Sequence, residues 1–238
     1  MAYRRRKVQS LYLNGKIKKR YFLHVMDKYT NIVELKQIEK EDVDYTILYR
    51  ELPSKITIMA PHGGGIEPGT IDIADELAGC DYTFYAFKGL KKTGNAALHI
   101  SSNNFDEPVA LKAAKNAVIV VSIHGAKDKS ETVHIGGSNH ELKQIIMTAL
   151  RRDNFDASIC EIPGLRGIKP ENICNRCRTR KGVQLELSRG LREKLFINLG
   201  HRYLRKKTIL FYTFVTTLKE ALLLFSSVNL NSGSDQAG

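Results

Sequence analysis

Two histidines in this sequence share one local setting. His62 opens the run His62-Gly63-Gly64-Gly65-Ile66-Glu67-Pro68-Gly69-Thr70 directly after the apolar stretch 56–60, and His124 ends the apolar run 118–123 and precedes Gly125. Short apolar runs rich in β-branched residues predict buried strands, so both imidazoles are expected at strand ends on one edge of a sheet. Three successive glycines let the chain turn sharply and hold no side chain over that edge, which could bring Glu67 to the same point as His62. Two imidazoles and one carboxylate make a catalytic zinc set with room for water. Water held there would be activated against a polarised carbonyl. The competing reading is that His62 and His124 only cap strand ends through hydrogen bonds. No Gly-Lys-Ser/Thr follows the glycines and the spaced glycines of a dinucleotide fingerprint are missing, so neither nucleotide loop applies.

Hydrolysis also needs a group that moves protons. Glu186 lies late in the alternating stretch 182–187, and if Val183, Leu185 and Leu187 face the core, Glu186 and Gln184 face the other way. Glu186 is then either a solvated strand-end carboxylate or a proton carrier from water to a leaving amine. His99, in Leu98-His99-Ile100-Ser101, reads as a buried histidine satisfied by a neighbour or as a substrate contact. His134 and His140 flank a Gly-Gly turn and read as surface residues or as residues behind the site; His201 reads as structural, and His24 has no supporting motif.

The positive charge is uneven. Basic residues concentrate between Arg166 and Lys207, where Arg176, Arg180 and Arg189 bracket the Glu186 strand. Guanidinium groups hold carboxylates through paired hydrogen bonds, so these three are candidates for binding an acidic substrate, with plain solubilising charge as the alternative. A second cluster, Arg4 to Lys7, reads as a solvated arm or a polyanion contact.

The elements that must position these residues alternate. Strands are expected over 56–60, 82–87, 97–100, 117–123, 157–161 and 182–187, and helices over 70–79, 139–152, 189–206 and 209–225, with a further helix capped by Asp106 and running to residue 116. Such alternation predicts an α/β domain of three layers around a mixed, largely parallel sheet. The chain has 238 residues with 37 Lys and Arg against 25 Asp and Glu, a formal charge of +12. That is enough chain for one sizeable core, and the charge implies an anionic partner without naming it. Four cysteines are too few for a disulfide framework. Cys174-Asn175-Arg176-Cys177 has no second pair, so reduced thiols are expected. No apolar N-terminal segment reads as an export signal, so the expectation is a protein cytoplasmic when synthesised that could act outside the cell after release by lysis. The apolar stretch 209–225 is interrupted by Lys219 and Glu220 and is expected to pack as a helix, with no membrane partner. The divisions expected are a basic extension over 1–41, a catalytic domain over 42–225 and a flexible tail over 226–238.

The string from His62 to Thr70 resembles the signature of the phage-type poly-gamma-glutamate hydrolase family. The likeness continues through 82–87, Leu98-His99-Ile100-Ser101, Phe105-Asp106-Glu107-Pro108, His124-Gly125 and 182–187. The resemblance implies a core like that of zinc carboxypeptidases, a Zn2+ ion held by His62, Glu67 and His124, and Glu186 as general base. It implies endohydrolysis of γ-glutamyl amides in poly-γ-glutamate, with His99, Arg176, Arg180 or Arg189 meeting the polymer. A hydrolase of a small N-acylated glutamate or another carboxylate-rich amide is the alternative. A nucleic-acid module is disfavoured, because the basic clusters lack interleaved aromatics and any recognition motif. A catalytically inactive structural protein would not need the intact ligand set. A monomer is expected.

Overall fold

The computed structural model describes residues 7–13, 16–22 and 27–230; Arg4, Arg5, Arg6, His24 and the end of the chain from residue 231, expected as tail, lie outside the described residues. In chain order the elements are β1 (Lys7–Leu13), β2 (Lys16–Phe22), α1 (Ile32–Ile38), β3 (Tyr45–Arg50), β4 (Ile56–Gly64), α2 (Thr70–Ala78), β5 (Thr83–Gly89), α3 (Pro108–Asn116), β6 (Ile119–Gly125), β7 (Thr132–Gly137), α4 (His140–Arg152), β8 (Asp156–Ile159), β9 (Val183–Leu187), α5 (Arg189–Leu195), β10 (Phe196–Ile197), β11 (Lys206–Lys207) and α6 (Ile209–Asn229).

The apolar runs form the middle of a seven-stranded sheet of order β3-β5-β4-β6-β9-β7-β8. β5, β4, β6 and β9 are parallel, while β3 and β7 pair antiparallel with β5 and β9, and β8 runs parallel to β7. Successive side chains on a strand point to opposite faces, so each central strand feeds two cores. Ile58, Val121, Ile135 and Leu185 pack under α2, α4, α5 and α6, and Met59, Val120 and Phe87 pack under α1 and α3. The result is the expected three-layer α/β domain with a mixed sheet.

The chain leaves β4 through α2 on one face to reach β5, then returns through α3 on the other face to reach β6. Strand order therefore reverses between β4 and β6, which opens a crevice at their carboxyl ends. Both site histidines stand at this edge.

Several expectations are corrected. Residues 97–100 are not a strand: a short 3-10 turn, Asn95–Leu98, leads into extended chain at His99. The helix from Arg189 stops at Leu195 and gives way to the β10/β11 hairpin. Glu107, not Asp106, caps α3 by accepting from Ala110 N at 2.8 Å, while Asp106 reaches Ile32 N at 2.7 Å. The Gly-Gly pair beside His134 closes strand β7 instead of forming a surface turn. Tyr29, Ile32 and Leu35 are buried in the α1/α3 core, so the packed domain begins ahead of Asp42, and α6 runs to Asn229, beyond the expected end.

By length and composition α6 could cross a membrane. Phe211, Phe214, Val215, Leu218, Leu222 and Phe225 are instead buried against the sheet-covering helices, with Ile209, Tyr212, Leu223 and Val228 on the exposed face.

Candidate active site

The glycine run acts through close approaches. Gly64 has φ +67, and a Cβ there would lie 2.5 Å from the Gly89 carbonyl oxygen; one on Gly63 would lie 2.2 Å from Ile71 Cγ1. The loop after β4 is pinned by Glu67 N donating to His62 O at 2.8 Å and by Thr70 Oγ1 donating to Glu67 O at 2.8 Å. These bonds fold Glu67 back over the strand end. Its carboxylate accepts from Gly125 N at 2.8 Å, tying the β4 loop to the end of β6.

His62 and His124 are both 2% exposed. Their Nδ1 atoms stand 3.2 Å apart, and Glu67 oxygens lie 3.4 Å from His62 Nδ1 and 3.9 Å from His124 Nδ1. His62 Nε2 lies 2.7 Å from the Ile100 carbonyl oxygen. A carbonyl only accepts, so Nε2 carries the proton and Nδ1 presents a lone pair. His124 Nε2 lies 3.1 Å from Ser122 Oγ, and in the tautomer that donates there His124 Nδ1 presents a lone pair as well. Burial first, and then the neighbouring His62, push His124 down to about 3, against the opposing pull of Glu67. Burial alone would raise Glu67, but the facing histidines His62, His124 and His99 outweigh it and hold the carboxyl at about 2.

These donors fit a metal ion. Two ligands at zinc-to-nitrogen distances in a tetrahedron are about 3.3 Å apart, close to the 3.2 and 3.4 Å separations around His62 Nδ1. Two imidazole nitrogens and a carboxylate converging in a buried place are the kind of donor set that a cation between them satisfies. The Nε2 contacts also aim the rings from behind, as ligating histidines require.

His99 lies on the open side. Its ring centroid is 4.1 Å from that of His62, and its Nε2 is 4.0 Å from Glu67 Oε1. His62, Glu67 and His99 also offer donor atoms within 4.8 Å of one another, so His99 competes with His124 for the third ligand place. The shorter Nδ1 pair and the deeper burial favour His124. Asp27 accepts from His99 Nδ1 at 2.7 Å and from Ser101 N at 2.6 Å, which fixes the His99 ring.

Glu186 is paired with His124 across β6 and β9 and points to the same face. Gln184 Nε2 donates to Glu186 Oε1 at 2.8 Å. Burial, and then the Glu67 charge, push the Glu186 carboxyl well above the usual carboxylate range, against the pull of Arg192. It is a buried acid that can hold a proton beside the crevice.

The three expected arginines do not converge here. Arg176 donates to the backbone oxygens of Glu171 and Asn103, and Arg189 donates to Glu193 at 2.6 Å. Arg180 precedes β9, at the end of the sheet opposite the site. Sequence reasoning missed Arg192, which is 3% exposed and donates to Pro68 O at 2.8 Å, Ala126 O at 2.6 Å and Leu187 O at 3.2 Å. It clamps the ends of β4, β6 and β9 together. A Cβ on Gly125 would meet its Cζ at 2.6 Å. The available signal was a charge on the same helical face as Leu191 and Leu195. Asp27 was missed because it lies far from every motif.

A three-layer α/β fold with a His/Glu donor cluster and a buried glutamic acid at the switch-point crevice has the make-up of a hydrolase site. The sequence model of the poly-gamma-glutamate hydrolase family matches residues 29–217. The chain is 37% identical over 175 residues to UPF0714 protein YndL of Bacillus subtilis (strain 168), covering 73% of this chain and 69% of YndL. It is 38% identical over 199 residues to UPF0714 protein YmaC of the same organism, covering 82% of this chain and 84% of YmaC. Among solved structures, a bacteriophage poly-gamma-glutamate hydrolase matches with TM-score 0.80 at 33% identity, over 85% of this chain and 100% of that one. YndL in a form described as apo and zinc-free matches with TM-score 0.78 at 35% identity, over 83% and 98%. This chain belongs to the poly-gamma-glutamate hydrolase family.

Proposed function

We propose that the protein is a zinc-dependent endohydrolase of poly-γ-glutamate, with His62, Glu67 and His124 as the ligands and Glu186 as general acid and base. The observation that carries the reading is the convergence of two buried Nδ1 atoms and the Glu67 carboxylate at metal-ligand spacing. A bound Zn2+ would supply a Lewis acid for amide hydrolysis. Glu186 takes a proton from the attacking water and returns it to the leaving amine nitrogen, a role suited to a carboxyl whose proton affinity is raised by burial. Gln184 holds one oxygen of Glu186, so that the other is left for proton transfer. His99, fixed by Asp27 on the open side, meets the incoming polymer.

The test is incubation of the purified protein with long poly-γ-glutamate, with size-exclusion analysis over time. An endohydrolase shortens the chains early without releasing mainly monomer, and chelation followed by zinc restores the activity. Release of glutamate alone, or cleavage of small N-acylated glutamates but not the polymer, would reject the endohydrolase reading.

A further inference from the structure

We infer that Arg166 is the specificity residue that reads the carboxylate next to the scissile amide on its leaving side; this assignment rests on the function proposed above. The loop from Cys160 to Asn172 connects β8 to the turn before β9, and its centre is held unusually firmly for an exposed segment. Gly137 N donates to Arg166 O at 2.8 Å, Gln184 Nε2 donates to Leu165 O at 2.9 Å, and Asn175 Nδ2 donates to Gly167 O at 2.7 Å. Gly167 has φ +59, and a Cβ there would meet Gln184 Cδ at 2.5 Å. The backbone on both sides of Arg166 is therefore pressed onto Gln184.

Gln184 is also the residue that holds Glu186. Its Nε2 donates to Leu165 O and to Glu186 Oε1, and its Oε1 accepts from Asn172 Nδ2 at 2.9 Å, which fixes the orientation of the amide. One buried side chain thus sets the position of the Arg166 backbone relative to Glu186. The side chain of Arg166 is exposed and makes no hydrogen bond or ion pair among the described residues, unlike those of Arg176, Arg189 and Arg192.

The substrate supplies the reason for such a pairing. In a γ-linked chain the nitrogen that leaves is bonded to an α-carbon carrying a free carboxylate. In an α-linked chain the same carbon carries a neutral amide, except at the C-terminus. A cation beside the group that protonates this nitrogen meets a carboxylate only when the linkage is γ. A guanidinium on a pre-positioned loop binds that carboxylate through paired hydrogen bonds at little ordering cost.

The test compares the full-length protein with Arg166→Gln, Arg166→Lys and Arg180→Gln, each with its metal content measured. The substrates are poly-γ-glutamate and the same polymer with its α-carboxylates amidated. For Arg166→Gln, kcat/KM on the free polymer is expected to fall about 10- to 100-fold, the range for a charged hydrogen-bonded pair. Arg166→Lys should recover part of that, and Arg180→Gln should match the unaltered protein. Amidation should penalise the unaltered protein strongly and Arg166→Gln little, a split that a merely structural role for Arg166 would not produce. Equal kcat/KM for Arg166→Gln and the unaltered protein on the free polymer would overturn this assignment alone. No cleavage of either polymer by the unaltered protein would overturn both the assignment and the proposed function.

Discussion

His62 and His124 face each other through Nδ1 at 3.2 Å, each ring held from behind through Nε2. At that separation the two nitrogens either share a proton or hold a common ion, and elemental analysis separates the two. Purified protein should carry about one zinc per chain by elemental analysis, consistent with a three-residue ligand set. His62→Ala and His124→Ala should each lose it. Changing only an outer partner of a ligand costs about 10- to 100-fold in affinity, so removing a ligand should cost more. Retention of zinc by both variants would exclude this ligand set.

Glu186→Gln keeps the shape of the side chain and its contact with Gln184, but removes proton transfer. Polymer cleavage should fall by about 100- to 10,000-fold while metal content and melting temperature stay close to those of the unaltered protein. A variant that cleaves at the original rate would remove Glu186 from the mechanism.

Gly64→Ala combines a left-handed backbone with a Cβ pressed 2.5 Å from the Gly89 carbonyl oxygen. The neighbour is backbone and cannot rotate away. A loss of about 2–4 kcal/mol in denaturant unfolding is expected, together with reduced metal binding as Glu67 is displaced. An Ala variant as stable as the parent would contradict the packing described for this loop.

Glu39 ties α1 to the loop after β5 through Tyr29, Lys28 and Lys91. Burial alone would raise its carboxyl, but the hydrogen bonds from Lys91, Tyr29 and Lys28 prevail and hold it at about 2, below the ordinary 4.5. Because the folded value is the lower one, the stabilisation is present above pH 4.5 and is lost as pH falls towards 2. With the two lysines partly exposed, the effect is about 2–3 kcal/mol. Glu39→Gln should flatten the acid limb of the stability profile in that window, as measured by urea midpoints across pH. An unchanged profile would show that the cluster contributes nothing to acid sensitivity.

Phe214 is fully buried in α6 and packs edge-on against Phe155 with ring centroids 5.1 Å apart. Phe214→Ala should cost about 3–5 kcal/mol in solution. A cost below 1 kcal/mol would mean that α6 is not part of the core.

The parts of this molecule that were legible in its sequence are those dictated by local pattern. The apolar runs at β4, β6 and β9 announced buried strands whose closing residues share an edge: His62 and Glu67 stand beside His124, and Glu186 is paired with His124 across β6 and β9. What the pattern did not carry is long-range. Nothing local marks Asp27 as the partner of His99, or Gly136 and Gly137 as the end of a strand pressed against the backbone of Arg166 and Gly182. The arginines were misjudged for the same reason: closeness in sequence to Glu186 does not say which end of a strand a residue occupies. Arg180 and Glu186 lie at opposite ends of the stretch that forms β9, whereas Arg166 comes from a distant loop that packs on Gln184, the residue that holds Glu186.

The place of β9 in the sheet has a consequence for how activity arises as the chain is made. β9 lies between β6 and β7, although it is synthesised after both. His62, Glu67 and His124 come from β4, its loop and β6, which are already neighbours. Before residues 183–187 emerge, β6 lacks its outer partner and Glu186 is missing. Arg192, which ties the ends of β4, β6 and β9 together, follows later still. The edge that carries the candidate site is therefore closed only by the last third of the chain.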